Sequence, residues 1–353
     1  MYIEFKHIYK NFGSYKASED VCFALDKGSL SALLGPSGSG KTTILRMLAG
    51  LETPDSGDIY IDGKRVNDVP PAKRGIGFVF QSYALFRYMS VFNNIAFGMK
   101  VNHVEHNKIQ RRVTELIDLM ELKGLENRYP SQLSGGQRQR VAFARAIAPE
   151  PRVLLLDEPF AAIDAKVRKE LRLWLKNTIH RLGITSVFVT HDQDEAVEIA
   201  DNILIINQGR VEQEGTAFNV YKTPLTPFVA QFIGNHSLIQ HYGDIKGFHE
   251  QHTYHAALVR PEFVDIFEAD EPIQYSCTAE SGIVKNVLFR GSNFEILIDV
   301  KGNEVKALWP VDRNVLQLGQ TVKIMIKRLY LLNDNTVKSV KNESLVADKS
   351  QVI

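Results

Sequence analysis

Cysteine is scarce: Cys22 and Cys277 are the only two, and they lie far apart in the chain. That spacing excludes a disulfide framework and any Cys-based metal motif, and a reducing compartment is expected. Long apolar runs are missing as well. VLLLD and ILII fall far short of the ~18 residues of a membrane span. The start, MYIEFKHIYKNF, lacks the apolar stretch of a signal peptide. The chain is therefore expected to be soluble and not to cross a membrane itself. No charge sign dominates: 42 Lys and Arg against 41 Asp and Glu give +1. Non-specific nucleic-acid binding has no electrostatic basis, and no nucleic-acid partner is expected. There is no internal repeat and no low-complexity tract. What is present is ordinary globular composition, 44% hydrophobic and 24% charged, which removes disorder, collagen and coiled coil as the main plan. At 353 residues the chain outgrows one hydrophobic core, so two domains are expected.

The first two thirds alternate buried-strand runs with helical periodicity. SALLG, GFVF, VLLLDE, TSVFVTH and ILII are short, β-rich and bounded by turn residues, as parallel strands covered on both faces should be. In NKIQRRVTELIDLMEL the apolar Ile109, Val113, Leu116, Ile117 and Met120 share one helical face. In AKVRKELRLWLKNTIHRLG the residues Val167, Leu171, Trp174, Leu175 and Leu182 do the same, with Gly183 placed as a C-cap. This alternation predicts an α/β domain over about residues 1–235. Residues 88–150, which carry helices and no convincing strand, are read as a helical subdomain inserted into it. Beyond about Gly234, FEILIDV, VKIMIKR and IVKNVLF alternate with period two, punctuated by Gly291, Gly302 and Gly319. Residues 236–345 therefore read as a small all-β domain, an OB-like Greek-key barrel. It carries 13 basic and 15 acidic residues from position 241 onward, too little positive charge for a nucleic-acid face. The tail, 346–353, is expected to be flexible.

Gly35-Pro36-Ser37-Gly38-Ser39-Gly40-Lys41-Thr42 fits G-x-x-x-x-G-K-[ST], between an apolar strand and the helical run TTILRMLAG. The glycines let backbone N–H groups curl around phosphate oxygens, and the helix N-terminus adds donors and dipole. Lys41 supplies a point charge to the β/γ-phosphates and the Thr42 hydroxyl a Mg²⁺ ligand. The bland alternative, a Gly/Ser-rich turn, fails on the strand–loop–helix context. VLLLDEP ends in two carboxylates. Asp157 is placed to complete the Mg²⁺ shell and Glu158 to act as general base on the attacking water. His191 ends TSVFVTH and Gln81 follows GFVF. Strand ends of this kind are where open α/β sheets put ligands, which favours a γ-phosphate sensor over a structural histidine. Leu133-Ser134-Gly135-Gly136-Gln137 opens the helix RQRVAFARAIA. Ser134 is either a plain N-cap or part of a second anion-binding helix start. Two such helix starts in one chain raise a geometric question, because one nucleotide sits on one of them.

These five elements, in this order, resemble the ATP-binding subunits of ABC transporters, with LSGGQ as the distinguishing signature. The resemblance spans nearly the whole chain. It implies a head-to-tail homodimer in which the signature of one copy closes over ATP held by the other. It implies ATP and Mg²⁺ as cofactors, with Gly35, Pro36, Ser37, Gly38, Ser39, Gly40, Lys41, Thr42 and Thr43 as the phosphate loop. Gln81 becomes the Q-loop residue, grouped with Thr42 and Asp157 at the metal. Ser134, Gly135, Gly136 and Gln137 belong to the signature, Asp164 is the D-loop acid and His191 the switch histidine. Glu158, His191, Lys41 and Gln81 form the catalytic set. Phe12 in KNFG matches the aromatic that stacks on adenine; its alternative is a core aromatic. The all-β domain looks like the regulatory (TOBE-type) barrel of importer ATPases, with Arg260-Pro261-Glu262 as a recurrent element. AKVRKELRLWLKNTIHRLGITSVFVTHDQDEA and FVAQFIGN look most like the sulfate/thiosulfate branch. The implied partners are a second copy, two membrane permease subunits and, indirectly, an extracellular or periplasmic solute-binding protein. The implied location is the cytoplasmic face of the cell membrane, peripherally. Two positions depart from the pattern: Ile163 in the D-loop AAID, where Leu usually precedes the Asp, and Arg87 in LFRYMSV, which replaces the usual Pro in the region that faces the membrane subunits.

Two other classes compete. A soluble ABC ATPase without membrane partners usually carries a long coiled-coil insertion or a second cassette, and neither is present. A barrel that senses an anion beside a vestigial ATPase is opposed by the intact Lys41, Asp157, Glu158 and His191. Importers of molybdate, iron, polyamines or sugars remain alternatives to sulfate. His249, His252 and His255 recur every third residue. On a strand that spacing puts neighbours on opposite faces, so the tract reads as compositional rather than as a metal site.

Overall fold

The computed structural model describes residues 1–161, 165–272 and 278–347, and the chain divides into two compact units at Phe218/Asn219. Asp164, Cys277 and the tail after Ala347 lie outside the described residues.

The first unit opens with a hairpin, β1 (Ile3–Phe12) and β2 (Tyr15–Leu25). Then come β3 (Leu30–Leu34), α1 (Lys41–Ala49), β4 (Ser56–Ile61), β5 (Lys64–Arg65) and β6 (Ile76–Val79). Three helices follow before the next strand: α2 (Val91–Val101), α3 (His106–Leu119) and α4 (Gly135–Ile147). The chain returns with β7 (Val153–Asp157), α5 (Ala165–Leu182), β8 (Thr185–Thr190), α6 (Gln193–Ile199), β9 (Asn202–Asn207) and β10 (Arg210–Gly215). One sheet is antiparallel, in the order β2-β1-β4-β5; the other runs β10-β9-β3-β8-β7-β6 and is parallel except for the β9–β10 pair.

Every residue of β3 and β8 is buried, the mark of strands covered on both faces. One core takes in Ile3 and Phe5 of the antiparallel sheet, Ile44, Leu45 and Leu48 of α1, and Leu155, Val187 and Leu204 of the parallel sheet. Each such side chain contributes roughly 1.5–3 kcal/mol by burial, so α1 is fixed between the two sheets. β3, β8 and β7 are adjacent and parallel, with Leu34 opposite Thr190 and Asp157 opposite Val189. Their carboxyl ends therefore open side by side, and Gly35, His191 and Asp157 stand there.

In the second unit, α7 (Ala217–Lys222) spans the division and α8 (Pro227–Phe232) follows it. The strands are β11 (Ser237–Ile239), β12 (Ala256–Val259), β13 (Val264–Glu268), β14 (Glu280–Phe289), β15 (Asn293–Val300), β16 (Asn303–Pro310), β17 (Thr321–Ile326), β18 (Arg328–Leu332) and β19 (Val337–Lys341), with a last turn, α9 (Glu343–Ala347). Two antiparallel sheets, β11-β12-β18-β19 and β13-β17-β14-β15-β16, share one core containing Val259, Val284, Ile296, Ile298, Trp309, Ile324 and Leu329. β16 alternates strictly between covered and exposed positions at its two ends, as a half-buried strand should. The unit is OB-like and all-β around that core.

The division falls earlier than the expected boundary near residue 235. Ala230 of α8 packs with Leu258, Tyr330 and Leu332, and the Tyr221 ring lies 3.4 Å from the buried Arg260 guanidinium, so residues from Asn219 are built into the β unit. Arg260 of the RPE element is thus an interior cation stacked on an aromatic face. The His249–His255 stretch is a loop rather than a strand. His249 faces Glu343 and His255 faces Asp334, so the three imidazoles do not converge.

Candidate functional site

The Gly35–Thr42 loop can close only with glycine at key positions. A Cβ on Gly35 would meet the Ile206 carbonyl oxygen at 2.0 Å. One on Gly40 would meet that of Ala17 at 2.1 Å, and Gly40 caps α1 with φ 100, a conformation open in practice to glycine alone. Lys41 is 5% exposed. Its ammonium donates to the carbonyls of Gly35 and Pro36 at 2.9 and 2.8 Å and to Ser39 Oγ at 3.4 Å. Burial pushes its pKa below the usual lysine value, while Glu158 and Asp157 pull the other way. Ser37, Gly38, Ser39, Gly40, Lys41, Thr42 and Thr43 line a cavity of about 210 Å³, together with Tyr15 and Glu158.

Across from the loop, Thr42 Oγ1 donates to Asp157 Oδ1 at 3.2 Å. Burial raises the Asp157 pKa, the Thr42 bond opposes this and the Glu158 charge adds to it. Glu158 has φ 44, a conformation that costs a non-glycine residue on the order of 1–3 kcal/mol and is held where the surroundings enforce it. Two groups grip its carboxylate: Gln81 Nε2 donates to Oε2 at 2.8 Å, and His191 Nδ1 lies 3.4 Å from Oε1. A carboxylate beside the phosphate loop, held between an amide and an imidazole, is a group that can accept a proton from a water next to it.

The signature residues stand elsewhere. Ser134 Oγ accepts from the Gln137 backbone N–H at 3.2 Å, and Gln137 Oε1 accepts from the Ser134 N–H at 2.9 Å. This is a full capping box on α4, and Ser134 keeps its hydroxyl hydrogen for a further partner. None of Ser134, Gly135, Gly136 and Gln137 lines the phosphate-loop cavity. Phe12 is 47% exposed at the tip of the β1–β2 hairpin, opposite Tyr15, so it is not a core aromatic. Tyr15 reaches the loop itself, its hydroxyl donating to the Gly38 carbonyl. Among the described residues no helix is long and apolar enough to cross a membrane.

Three residues that sequence reasoning passed over hold this site in shape. Arg172 of α5, 8% exposed, bonds Asp192 at 3.0 Å, Glu195 at 3.1 Å and Glu198 at 3.3 Å, fastening α6 directly behind His191. Arg145 of α4 donates to the Tyr83 and Ala84 carbonyls, both at 2.7 Å. Those two residues take φ 62 and 46 just after Gln81. Asn94 of α2 accepts from the Phe86 N–H and donates to the carbonyls of Phe86, Met89 and Ser90. The segment from Tyr83 to Ser90, which includes Arg87, is therefore clamped at both ends, and it presents Tyr88 96% exposed.

Comparison with known proteins places the chain in a family. Residues 18–161 match the family model described as ABC transporter. The sulfate/thiosulfate import ATP-binding protein of Synechocystis sp. is 46% identical over 305 residues, covering 86% of each chain. Its counterpart from Acinetobacter baylyi is 44% identical over 355 residues, covering 95% of this chain and 99% of that one. The chain belongs to the sulfate/thiosulfate import ATP-binding protein family of ABC transporters. It is an ATP-binding transporter subunit and an ATPase. A dimeric post-hydrolysis ATP-binding cassette bound to ADP and Pi is 32% identical, with a TM-score of 0.55 over 61% of this chain and 98% of that one. The ATPase thus shares a fold with a cassette whose structure is dimeric and bound to ADP and Pi.

Proposed function

We propose that this ATPase is the motor of an importer that takes up a small anion, sulfate or thiosulfate, acting peripherally at the cytoplasmic face of the membrane. Two copies hold two ATP molecules head to tail, two permease subunits carry the anion, and an external solute-binding protein delivers it. The solute rests on what the relatives are named for. The hydrolytic role rests on one observation above all: Glu158 is gripped by Gln81 and His191 beside the phosphate loop. The second unit, with its separate core, has a regulatory role in this reading.

Mg²⁺ fits the donors present. The Thr42 hydroxyl and the Asp157 carboxylate lie 3.2 Å apart, and both are hard oxygen ligands. The mutual repulsion of Asp157 and Glu158 favours a cation between protein and phosphate. Thr42 and Asp157, with the Gln81 carboxamide, would hold the ion, which when bound offsets charge on the phosphates. Lys41 trades its bonds to the Gly35 and Pro36 carbonyls for β/γ-phosphate oxygens. Phe12 stacks on the adenine. Glu158, released from one of its two partners, accepts the proton of the attacking water, while His191 faces the γ-phosphate. Ser134, Gly135, Gly136 and Gln137 of the other copy, with Asp164, complete the site. Tyr88 and the clamped segment around Arg87 face the permeases.

Glu158→Gln tests the reading. The amide keeps the shape but is no base, so the variant should bind MgATP, lose nearly all turnover and accumulate as an ATP-bound dimer on size exclusion. Wild-type hydrolysis in this variant would remove Glu158 from the proposed role.

A further inference from the structure

The β1–β2 hairpin shifts register three times between Phe5 and Asn11, and the first two shifts adjoin. Phe5 pairs with Phe23 and Ile8 with Val21, which leaves Lys6 and His7 facing Cys22 alone. The next regular pair is Lys10 with Ser18, which leaves Tyr9 facing Glu19 and Asp20. The two strands thus bulge in succession, first one and then the other. The extra residues His7 and Asp20 take φ 51 and 55, in the region that such bulges ordinarily fill with glycine. The double bulge turns His7, Asp20 and Cys22 outward together. His7 Nδ1 lies 2.7 Å from Asp20 Oδ1, Cys22 Sγ lies 3.6 Å from His7 Nδ1, and Cys22 Sγ lies 3.9 Å from Asp20 Oδ1.

A tetrahedral ion bonded at about 2.0–2.3 Å to nitrogen, oxygen and sulfur sets those donors about 3.3–3.7 Å apart. The two sulfur distances lie within a few tenths of an ångström of that range. The His7–Asp20 contact is a hydrogen bond that must open slightly. The groups around the cluster suit a ligand set. The His7 backbone N–H points at Cys22 Sγ at 3.1 Å and so orients the sulfur. All three residues are exposed and all three donor atoms lie within 4.8 Å of one another, the only such group among the described residues. We propose that His7, Asp20 and Cys22 form a surface site for one borderline divalent transition ion of the Zn²⁺ type, with its fourth position open to water. The mixed N, O and S donors select that class over Mg²⁺ or Ca²⁺. Binding displaces the thiol proton and the proton shared by His7 and Asp20. The site is separate from the Thr42–Asp157 position and does not depend on it.

Titration of the full-length, reduced, tag-free protein with Co²⁺ tests this. The expected result is one ion per chain, with a cobalt–thiolate charge-transfer band and tetrahedral d–d bands, all displaced by Zn²⁺. Cys22→Ser should abolish the thiolate band while Cys277→Ser keeps it. His7→Ala and Asp20→Asn should weaken cobalt binding at least about tenfold. MgATP hydrolysis by each variant shows that it is folded. Absence of a thiolate band, or a band that survives Cys22→Ser, would overturn the site. Equal cobalt affinity in Asp20→Asn and the parent protein would remove the carboxylate and leave no three-donor site.

Discussion

Arg172→Met removes the cation that fastens α6 behind His191 and keeps the aliphatic bulk. Arg172 bonds three carboxylates, and one of these partnerships is interior: its side chain is 10% exposed and that of Glu195 6%. Thr190 Oγ1 remains on Glu195 at 2.5 Å, so that charge keeps one donor, while Asp192 and Glu198 can turn to solvent. Breaking a buried pair from one side costs about 3–5 kcal/mol, and the surviving Thr190 bond argues for the lower end, about 3 kcal/mol. At about 2–4 °C per kcal/mol for a unit of this size, the first unit should melt about 6–12 °C lower. The two tryptophans separate the units: Trp174 sits on α5 and Trp309 in the β core. Urea unfolding followed by Trp174 fluorescence in a Trp309→Phe background therefore reports the first unit. The lost tie should also loosen His191, so ATP turnover should fall while nucleotide affinity, set at the phosphate loop, stays near that of the parent. Adding Glu195→Gln should recover part of the stability by removing the stranded charge. A loss below about 1 kcal/mol would place Arg172 among ordinary surface ion pairs and refute the reasoning.

Three further outcomes follow from the same geometry. Asp157 has a raised pKa, so its contribution to stability is present below the ordinary aspartate value and is lost as pH rises through the folded value. Near neutral pH, Asp157→Asn should thus stabilise the nucleotide-free protein by about 0.5–2 kcal/mol while abolishing Mg²⁺-dependent ATP binding, as read by thermal melts with and without MgATP. Gly40→Ala should lose ATP binding and at least about 1–3 kcal/mol of stability, because its Cβ would lie 2.1 Å from the Ala17 carbonyl oxygen. Phe12→Ala and Tyr15→Ala should be compared by nucleotide titration. A stacking partner should cost about 1–3 kcal/mol, and a loss confined to Tyr15→Ala would move the adenine contact there.

The parts of the site that could be read in the sequence are those carried by contiguous residues. Gly35–Thr42, Val153–Glu158 and Ser134–Gln137 each place a strand end or helix start and its functional side chains within one short run, so local chemistry suffices. The clamps could not be read that way. Arg145 reaches Tyr83 and Ala84 sixty residues back, and Arg172 reaches across to α6; on an amphipathic helix either arginine looks like solvent-facing charge. Asn94 sits in an apolar helix with nothing local to show that it collects four bonds. His7, Asp20 and Cys22 meet only because two bulges shift the hairpin register, which period-two reading does not foresee. The His249, His252 and His255 spacing presumed a strand where the chain forms a loop. The unit boundary was read from where β periodicity begins, whereas α8 and Tyr221 join the β unit through side-chain packing.

The central claim is that the phosphate loop of one copy and the signature of another share each ATP. It is tested most directly by Ser134→Arg, measured as nucleotide affinity of dilute monomers beside ATPase activity at dimer-forming concentration. Ser134 lines no part of the phosphate-loop cavity of its own chain, so monomer affinity should match the parent while hydrolysis collapses. Mixing this variant with Lys41→Ala should restore some activity through the one composite site that carries neither lesion. Loss of nucleotide binding by the dilute Ser134→Arg monomer would mean that the signature acts within its own chain, and the shared site would be wrong.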